Sequence, residues 1–241
     1  MNHLVVDQGN SFTKVAFFSG EKMLLHFSLN DVTLVDELTA PMAEFQPAAL
    51  IFSSVRSDKS ELQKKLFSFN IRMVELTSEC SLPFEVEYAT AHTLGGDRLA
   101  NAAGAIKRFG GKNCLIVDFG TCITYSLVVD KKFKGGAISP GIGMRLKALN
   151  HYTGRLPLVE HGITLPAMTG RSTEDSIRAG VERAAVLEVQ SMINEYCSEN
   201  ADLNVLLTGG GMTFFEPHLK SPIFAAPYLT LEGLHEILLI N

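Results

Sequence analysis

Two short segments of the chain, residues 4–13 and 115–124, carry the same order of residues with the chemistry to bind phosphate and a metal ion. Each has an apolar, β-branched run that ends in an aspartate, Asp7 or Asp118, then a glycine two positions later, small polar side chains and a second apolar run. The glycine lets the backbone turn tightly, the aspartate offers oxygens to a metal ion, and the turn offers donors to phosphate. The repeat predicts two strand–turn–strand hairpins that clamp a nucleotide.

The first hairpin has the fuller set of groups for phosphoryl transfer. Lys14 follows its turn and can reach the outer phosphates, and residues 9–11 bring backbone and side-chain donors. Asp7 suits Mg²⁺ bound through water, because that ion keeps most of its hydration shell and takes few carboxylates. An ordinary β-turn is the alternative for one copy alone. The second copy and Lys14 favour phosphate binding.

Composition limits the classes of partner. The 241 residues include 26 acidic and 21 basic side chains, a net charge of −5, which provides no basic surface for nucleic acid or anionic lipid. No apolar run reaches the roughly 18 residues of a membrane span, and no leader precedes the first predicted strand. The four cysteines lack metal-site spacing and are expected to be reduced thiols. We expect a cytoplasmic protein that acts on small molecules, without nucleic-acid or membrane partners.

Hydrophobic periodicity predicts two halves, each opening with a three-strand meander and continuing with helices and further strands. Strands are predicted over residues 4–7, 15–18, 23–29, 48–52, 114–118, 123–129, 133–139 and 204–208. Helices are predicted over residues 31–40, 59–67, 99–109, 142–149, 173–196 and 229–239. Residues 80–91 are expected to be a connection. This alternation is typical of mixed sheets covered by helices.

Five ordered motifs resemble the actin-like ATPase superfamily and, within it, the type III pantothenate kinases. They are Asp7-Gln8-Gly9-Asn10-Ser11, Gly95-Gly96-Asp97-Arg98, Asp118-Phe119-Gly120-Thr121, Gly135-Gly136-Ala137-Ile138-Ser139-Pro140-Gly141 and Thr208-Gly209-Gly210. The resemblance implies an α/β fold of duplicated ribonuclease H-like (actin-like ATPase) domains, each a mixed five-stranded sheet flanked by helices. The domains are expected at residues 1–112 and 113–241, with the nucleotide in the cleft between them.

The resemblance also implies an enzyme that phosphorylates the 4′-hydroxyl of pantothenate with ATP, the first step of coenzyme A biosynthesis. Asp97 would accept the proton of that hydroxyl, and Arg98 would hold the substrate. The remaining substrate-binding residues implied are Tyr88, Gly95, Gly96 and Thr173. Read from the residues alone, Asp97 is a helix cap and Arg98 a solvated first-turn residue; cap and base are compatible roles.

Nucleotide and ion sites follow from the same resemblance. The ATP-binding residues implied are Asp7, Gln8, Gly9, Asn10, Ser11, Phe12, Thr13, Lys14 and Thr121. ATP would arrive with Mg²⁺, and Asp118 would coordinate a monovalent cation, K⁺ or NH₄⁺. Thr173 would reach pantothenate in the neighbouring subunit of a homodimer. The alternatives are a helix N-cap for Thr173, a partner of its own turn for Asp118, and a loop residue covering the core for Tyr88.

Two rival functions stay open at this point. The chain is interpreted alternatively as a catalytically inactive regulatory or binding member of the same superfamily, although such a protein need not retain a base and two ion sites. A different small-molecule kinase or an actin-like filament ATPase is the other alternative. The chain is shorter than typical filament formers, and only pantothenate explains Tyr88 together with residues 95–98.

Overall fold

The computed structural model describes residues 1–29, 34–56, 60–220 and 222–241. It divides into two compact units. The first contains Met1–Gly111, Lys131–Phe133 and Tyr228–Asn241, and the second contains Lys112–Asp130 and Lys134–Pro227.

Strands and helices alternate along the chain after an initial meander. In chain order the elements are β1 (Asn2–Gln8), β2 (Thr13–Ser19), β3 (Lys22–Leu29), α1 (Leu34–Phe45), β4 (Ala49–Ser54), α2 (Ser60–Phe67), β5 (Arg72–Glu75), β6 (Glu85–Val86), α3 (Gly96–Phe109), β7 (Cys114–Phe119), β8 (Cys122–Val129), β9 (Lys132–Pro140), α4 (Ile142–Tyr152), α5 (Thr173–Arg178), α6 (Ala184–Glu199), β10 (Asn204–Thr208), α7 (Met212–Phe215), β11 (Ile223–Ala225) and α8 (Leu229–Leu239). A wide helical turn, Ala179–Arg183, joins α5 to α6.

The first unit is built on a five-stranded sheet in the order β3-β2-β1-β4-β5. The β1–β2 and β2–β3 pairs are antiparallel, whereas β1–β4 and β4–β5 are parallel. Side chains alternate between the two faces of a strand, and both faces of β1 are buried. Leu4 and Val6 pack with Leu38 of α1 and Leu62 of α2. Helices α3 and α8 pack on each other and contact β4.

The last helix, α8, belongs to the first unit, although the expected division assigned all of residues 113–241 to the second. Its close packing on α3 explains the difference. A Cβ atom at Gly233 would lie 1.7 Å from the carbonyl oxygen of Ala100, so only glycine allows this approach. The Thr230 hydroxyl also donates to Asn101 Oδ1 at 2.8 Å. Such long-range contacts leave no local pattern in the sequence.

The second unit contains strands in the order β11-β10-β7-β8-β9. Strands β7 and β8 are antiparallel, whereas β10 is parallel to both β7 and β11. Its core gathers apolar side chains of β7, β8 and β10 with those of α4, α5 and α6. The first two residues of β9 are counted with the first unit, where they pair in parallel with β6. This pairing adds a sixth strand to the sheet, so the expected number of five strands is wrong for it.

The predicted mixed sheets flanked by helices are confirmed, including the three-strand meander of the first half. Three short strands were not predicted, β5, β6 and β11, because their side chains are only partly buried and lack a clear apolar alternation. The predicted helix starts at Asp31 and Lys59 lie outside the described residues. Within the described ranges, no helix is both long and apolar enough to cross a membrane.

A buried histidine pair joins β1 to α8. His3 Nδ1 lies 3.0 Å from His235 Nε2, and the His235 ring stacks on Phe18 with the centroids 4.1 Å apart. Burial, with help from His3 and Lys107, lowers the pKa of His235 to about 4. Burial, followed by the N-terminus and Arg72, also lowers the pKa of His3. Both rings are therefore neutral in the fold at neutral pH.

We predict that stability falls as the pH drops below about 6.5, because the unfolded chain then binds protons that the folded His3–His235 pair does not. This contribution is fully present above pH 6.5 and is lost progressively toward the folded pKa of His235, about 4. Urea unfolding at pH 7.5 and pH 5 measures it. His235→Gln, which cannot titrate, is expected to lose less stability over that interval; equal losses in both proteins would contradict the assignment.

A buried carboxylate in the second unit, Glu182, fixes the segment that precedes α5. Its side chain is 0% exposed in the wide turn between α5 and α6. Glu182 Oε1 accepts from the Gly162 amide at 2.7 Å and lies 3.0 Å from His161 Nδ1, while Oε2 accepts from Arg178 Nε at 3.1 Å. These contacts offset the cost of burying the charge.

Replacing Glu182 by Gln is predicted to lower the free energy of unfolding by about 3 kcal/mol, because the substitution breaks a buried ion pair. This value is at the lower end of the usual range, since Arg178 keeps some access to water. Chemical denaturation measures the change. Glu195→Gln, on the exposed face of α6, is the matched control and is expected to change stability by no more than about 0.5 kcal/mol. A Glu182 variant as stable as that control would show that the carboxylate is not needed.

Candidate active site

The first hairpin places its polar residues in two groups. Asp7 lies opposite Lys14 in the β1–β2 register, and residues 9–12 form the turn, here called the first turn. The Gly9 amide closes this turn by donating to the Phe12 carbonyl at 3.1 Å. Asp7 is buried at the strand end, whereas residues 10–12 are exposed. The turn therefore presents its backbone to solvent above buried polar side chains.

The polar strand ends of β1 and β4 lie side by side because the two strands are parallel. Asp7 pairs with Ser53 and Gln8 with Ser54 in this register. The Ser54 hydroxyl donates to Gln8 Oε1 at 2.8 Å. Ser53 is 1% exposed, and no residue of the described ranges hydrogen-bonds its hydroxyl oxygen. Carboxyl ends of parallel strands are the usual place for ligands in α/β sheets.

Helix α3 begins on this same edge. A Cβ atom at Gly96 would lie 2.8 Å from Ser53 Oγ, so glycine lets the helix start close to β4. Gly95 is the N-cap, with extended backbone, and Asp97 is the second helical residue. Asp97 Oδ1 accepts from the Arg98 amide at 2.8 Å, and the carboxylate is half-buried. Asp97 is therefore not the N-cap residue, although it does accept a hydrogen bond in the first helical turn.

Arg98 is buried, 4% exposed, so its alternative interpretation as a solvated residue is wrong. Its guanidinium carbon lies 5.2 Å from the ring centroid of Phe133, at the start of β9. Tyr88 meets the same ring edge-on, with the centroids 6.1 Å apart. Phe133 thus joins two predicted substrate-binding residues. The sequence analysis missed it, since an apolar residue at a strand start has no local feature that marks this role.

A cavity of about 450 Å³ adjoins residues 95 and 96 within the first unit. It is lined by Ser54, Val55, Arg56, Leu76, Thr77, Ser78, His92, Thr93, Leu94, Gly95, Gly96 and Leu99. Its walls are the chain after β4, the chain after β5 and the start of α3. Most of these side chains are small or polar, so the cavity suits a polar small molecule.

Arg56 is a second residue that the sequence analysis missed. Its Nε donates to the Gly9 carbonyl at 2.8 Å and its Nη2 to the Asn10 carbonyl at 3.3 Å. The available signal was a cation two residues after a buried strand, at the edge of the sheet where ligands bind.

In the second unit, Asp118 lies at the end of β7, opposite Thr124 and beside Thr208 of β10. A Cβ atom at Gly209 would lie 2.3 Å from Asp118 Oδ1 and 2.7 Å from the Phe119 nitrogen. Gly209 has a φ of 89°, in the left-handed region. Bare backbone therefore covers the Asp118 carboxylate.

The second hairpin differs from the first by one residue. Residues 9–12 separate the paired Gln8 and Thr13, whereas only residues 120–122 separate the paired Phe119 and Ile123. The prediction that the two segments repeat residue by residue is therefore wrong beyond the turn. Lys14 lies opposite Asp7, whereas Thr124 lies opposite Asp118.

Thr121 is exposed at the tip of the second hairpin. Its carbonyl accepts from the Gly141 amide at 3.1 Å, and a Cβ atom at Gly141 would lie 2.4 Å from that oxygen. The junction of β9 and α4 therefore packs against the turn of the second hairpin. This contact gives Gly141, the last residue of the motif at residues 135–141, a structural role.

Thr173 is the first residue of α5 and is exposed. The N-cap is Ser172, whose hydroxyl oxygen accepts from the Asp175 amide at 3.1 Å. The interpretation of Thr173 as a helix cap is therefore wrong, and its hydroxyl is not used to cap α5. In the first unit, the structure gathers Asp7, Gln8, Lys14 and residues 95–98 at one edge of the sheet. Asp118, Thr121 and Thr173 belong to the second unit.

The sequence is similar to proteins of one known family. The family model of type III pantothenate kinase matches residues 3–195. The type III pantothenate kinase of Cytophaga hutchinsonii is 42% identical and aligns over 99% of each chain. That of Christiangramia forsetii is 40% identical over 99% of this chain and 98% of its own.

Solved structures with the same fold are more distant in sequence. A putative Baf family transcriptional activator from Campylobacter jejuni has a TM-score of 0.65 at 22% identity, covering 98% of this chain and 96% of its own. A putative 2-dehydro-3-deoxygalactonokinase from Sinorhizobium meliloti has a TM-score of 0.57 at 14% identity, covering 98% and 97%. These similarities show a fold of the actin-like ATPase and sugar kinase type. The family model and the full-length relatives show that the chain belongs to the type III pantothenate kinase family.

Proposed function

We propose that Asp97 is the general base in the reaction of this family, the ATP-dependent phosphorylation of pantothenate at its 4′-hydroxyl. One observation carries the assignment. Gly96 lies directly against Ser53, the residue paired with Asp7, so Asp97 and the first turn belong to the same edge of one sheet. Family membership supplies the substrate and the donor.

The chemistry asked of Asp97 is modest. As the 4′-oxygen attacks the γ-phosphorus, the bond to the β,γ-bridging oxygen breaks, ADP leaves, and the hydroxyl proton passes to the Asp97 carboxylate. Phosphoryl transfer depends mostly on positioning and charge stabilisation, since its transition state is loose. The hydrogen bond from the Arg98 amide fixes the orientation of the carboxylate. Tyr88, Gly95, Gly96 and Arg98 bind pantothenate in this proposal.

In this proposal the first hairpin binds the phosphates of ATP. The residues involved are Asp7, Gln8, Gly9, Asn10, Ser11, Phe12, Thr13 and Lys14. Thr121 also contacts the nucleotide. Within the described residues there is no group of three or more His, Cys, Asp or Glu side chains able to hold a metal ion. Asp7 and the phosphates fit Mg²⁺, because that ion keeps several waters and takes one or two carboxylates. When bound, it would neutralise phosphate charge.

Asp118 is the proposed ligand of a monovalent cation, K⁺ or NH₄⁺. Its carboxylate is half-buried at a strand end, and Gly209 brings backbone against it. The rival interpretation as an inactive regulatory protein is not favoured, because the full-length relatives are named as kinases. The Campylobacter jejuni title names a transcriptional activator, but at 22% identity that similarity shows the fold alone.

A homodimer, in which Thr173 reaches pantothenate in the neighbouring subunit, is the proposed assembly. Support comes from exposed apolar side chains of α4, α6 and the segment between α4 and α5, namely Met144, Tyr152, Leu158, Ile163, Met168 and Leu187. Exposed apolar surface of this kind favours a protein partner. A cytoplasmic location stays a prediction.

Asp97→Asn is predicted to lower kcat for pantothenate phosphorylation by about 10²- to 10⁴-fold, the contribution of a positioned general base, with little change in either KM. Turnover is measured as ADP released with Mg²⁺, with and without K⁺. Asp36→Asn, at an exposed position in α1 of the same unit, is the control and should be fully active. Folded native protein without turnover would refute the kinase assignment, and an active Asp97→Asn protein would refute the base.

Mixing two inactive variants tests the shared site. If Thr173 serves the neighbouring subunit, a heterodimer of Thr173→Ala and Asp97→Asn chains contains one site with both native residues. Unfolding and refolding an equal mixture is then expected to restore activity toward about one quarter of native, because half of the dimers are mixed and each has one intact site. No recovery from a mixture shown to contain heterodimers would contradict the arrangement.

A further inference from the structure

We propose that Arg56 is a positioning residue that holds the first turn in the conformation that binds the phosphates of ATP. The inference rests on the proposed function and adds a residue to it. Two donors of one guanidinium reach two successive backbone carbonyls of the turn, those of Gly9 and Asn10, at 2.8 Å and 3.3 Å.

The backbone that carries Arg56 is itself fastened to β1. The Val55 amide donates to the Gln8 carbonyl at 3.1 Å, and the Ser54 hydroxyl donates to Gln8 Oε1 at 2.8 Å. The Arg56 amide in turn donates to Ser54 Oγ at 3.1 Å. The side chain therefore starts from a fixed point beside the turn, which reduces the entropy lost when its guanidinium is held.

Peptide geometry links these contacts to phosphate. In a trans peptide, the carbonyl oxygen and the next amide hydrogen point in opposite directions, and the described chain contains no cis peptide bond. Drawing the carbonyls of Gly9 and Asn10 toward Arg56 therefore directs the amides of Asn10 and Ser11 away from it. Successive amides directed to one side form an anion-binding concavity.

The guanidinium also borders the cavity that adjoins the start of α3. Arg56 lines the same cavity as Gly95 and Gly96, the residues just before Asp97. Its positive charge attracts the negative ends of the two carbonyl dipoles, so charge as well as hydrogen bonding holds both peptides in this orientation. A lysine supplies the charge but not the planar pair of donors, so the two residues are not equivalent here.

The test compares Arg56→Lys and Arg56→Ala with the native enzyme. Charged hydrogen bonds of this kind contribute enough for the KM of ATP to rise about tenfold in Arg56→Lys and more in Arg56→Ala. The KM of pantothenate and the melting temperature are expected to stay close to native. Equilibrium binding adds a readout without turnover: ADP should bind more weakly to both variants, whereas adenosine, which has no phosphate, should bind as it does to the native protein.

Arg108→Lys is the matched control. Arg108 also uses two donors, to the Glu232 carboxylate at 2.8 Å and 2.7 Å, but it lies in the last turn of α3 and touches no part of the first turn in the described structure. Its replacement should leave the KM of ATP unchanged.

Each result decides the proposal. A native KM for ATP in Arg56→Lys would show that the positive charge alone is needed. A native KM in Arg56→Ala would show that neither the charge nor the pair of donors is needed. Either result overturns the positioning role. Equal weakening of ADP and adenosine, with a lower melting temperature, would reveal a general structural role and overturn it too. Failure of the proposed function is separate, since native protein would then lack pantothenate turnover while ADP binding still tests Arg56. Native protein that does not bind ADP overturns both.

Discussion

Parallel pairing of β1 with β4 is the constraint on which the first unit depends. It brings the carboxyl ends of both strands to one edge, so the register alone makes Asp7 and Ser53 neighbours. Buried polar groups are usually hydrogen-bonded, and the Ser54 hydroxyl at the end of β4 provides a partner for Gln8. The first turn, which is proposed to bind phosphate, and the start of α3, which carries the proposed base, both lie at this edge.

The two hairpins have the same strand arrangement but differ in turn length and in charge. The first has a longer turn and places Lys14 opposite its aspartate, which suits a highly charged phosphate chain. The second is one residue shorter, places Thr124 opposite its aspartate and is pressed against glycine backbone. A single weakly charged ion or a nucleoside fits this second environment better. The duplication therefore conserves the fold while the electrostatics of the two strand ends differ.

Local pattern was sufficient to predict most elements, because apolar alternation and helix boundaries depend on near neighbours in the chain. The order of strands and helices and the end of α3 at Phe109 follow from it, whereas α3 begins three residues before its predicted start. Contacts between distant segments were beyond its reach. The Arg98–Phe133 and Arg56–Gly9 contacts, and the one-residue difference between turns, have no periodic signature. The candidate site residues were predicted from the resemblance to type III pantothenate kinases. Their distances and contacts could be described only from the folded structure.

The position of α8 has a consequence for how the protein is made. The first unit contains the earliest residues of the chain, yet its core also requires residues 228–241, whose helix packs on α3. Domains made of one continuous segment can fold as they leave the ribosome. Here the first unit stays incomplete until residues 228–241 have been synthesised, and the face of α3 that packs on α8 stays uncovered while the second unit is made. Asp97 and the rest of α3 are therefore synthesised long before the helix that completes the core of their unit.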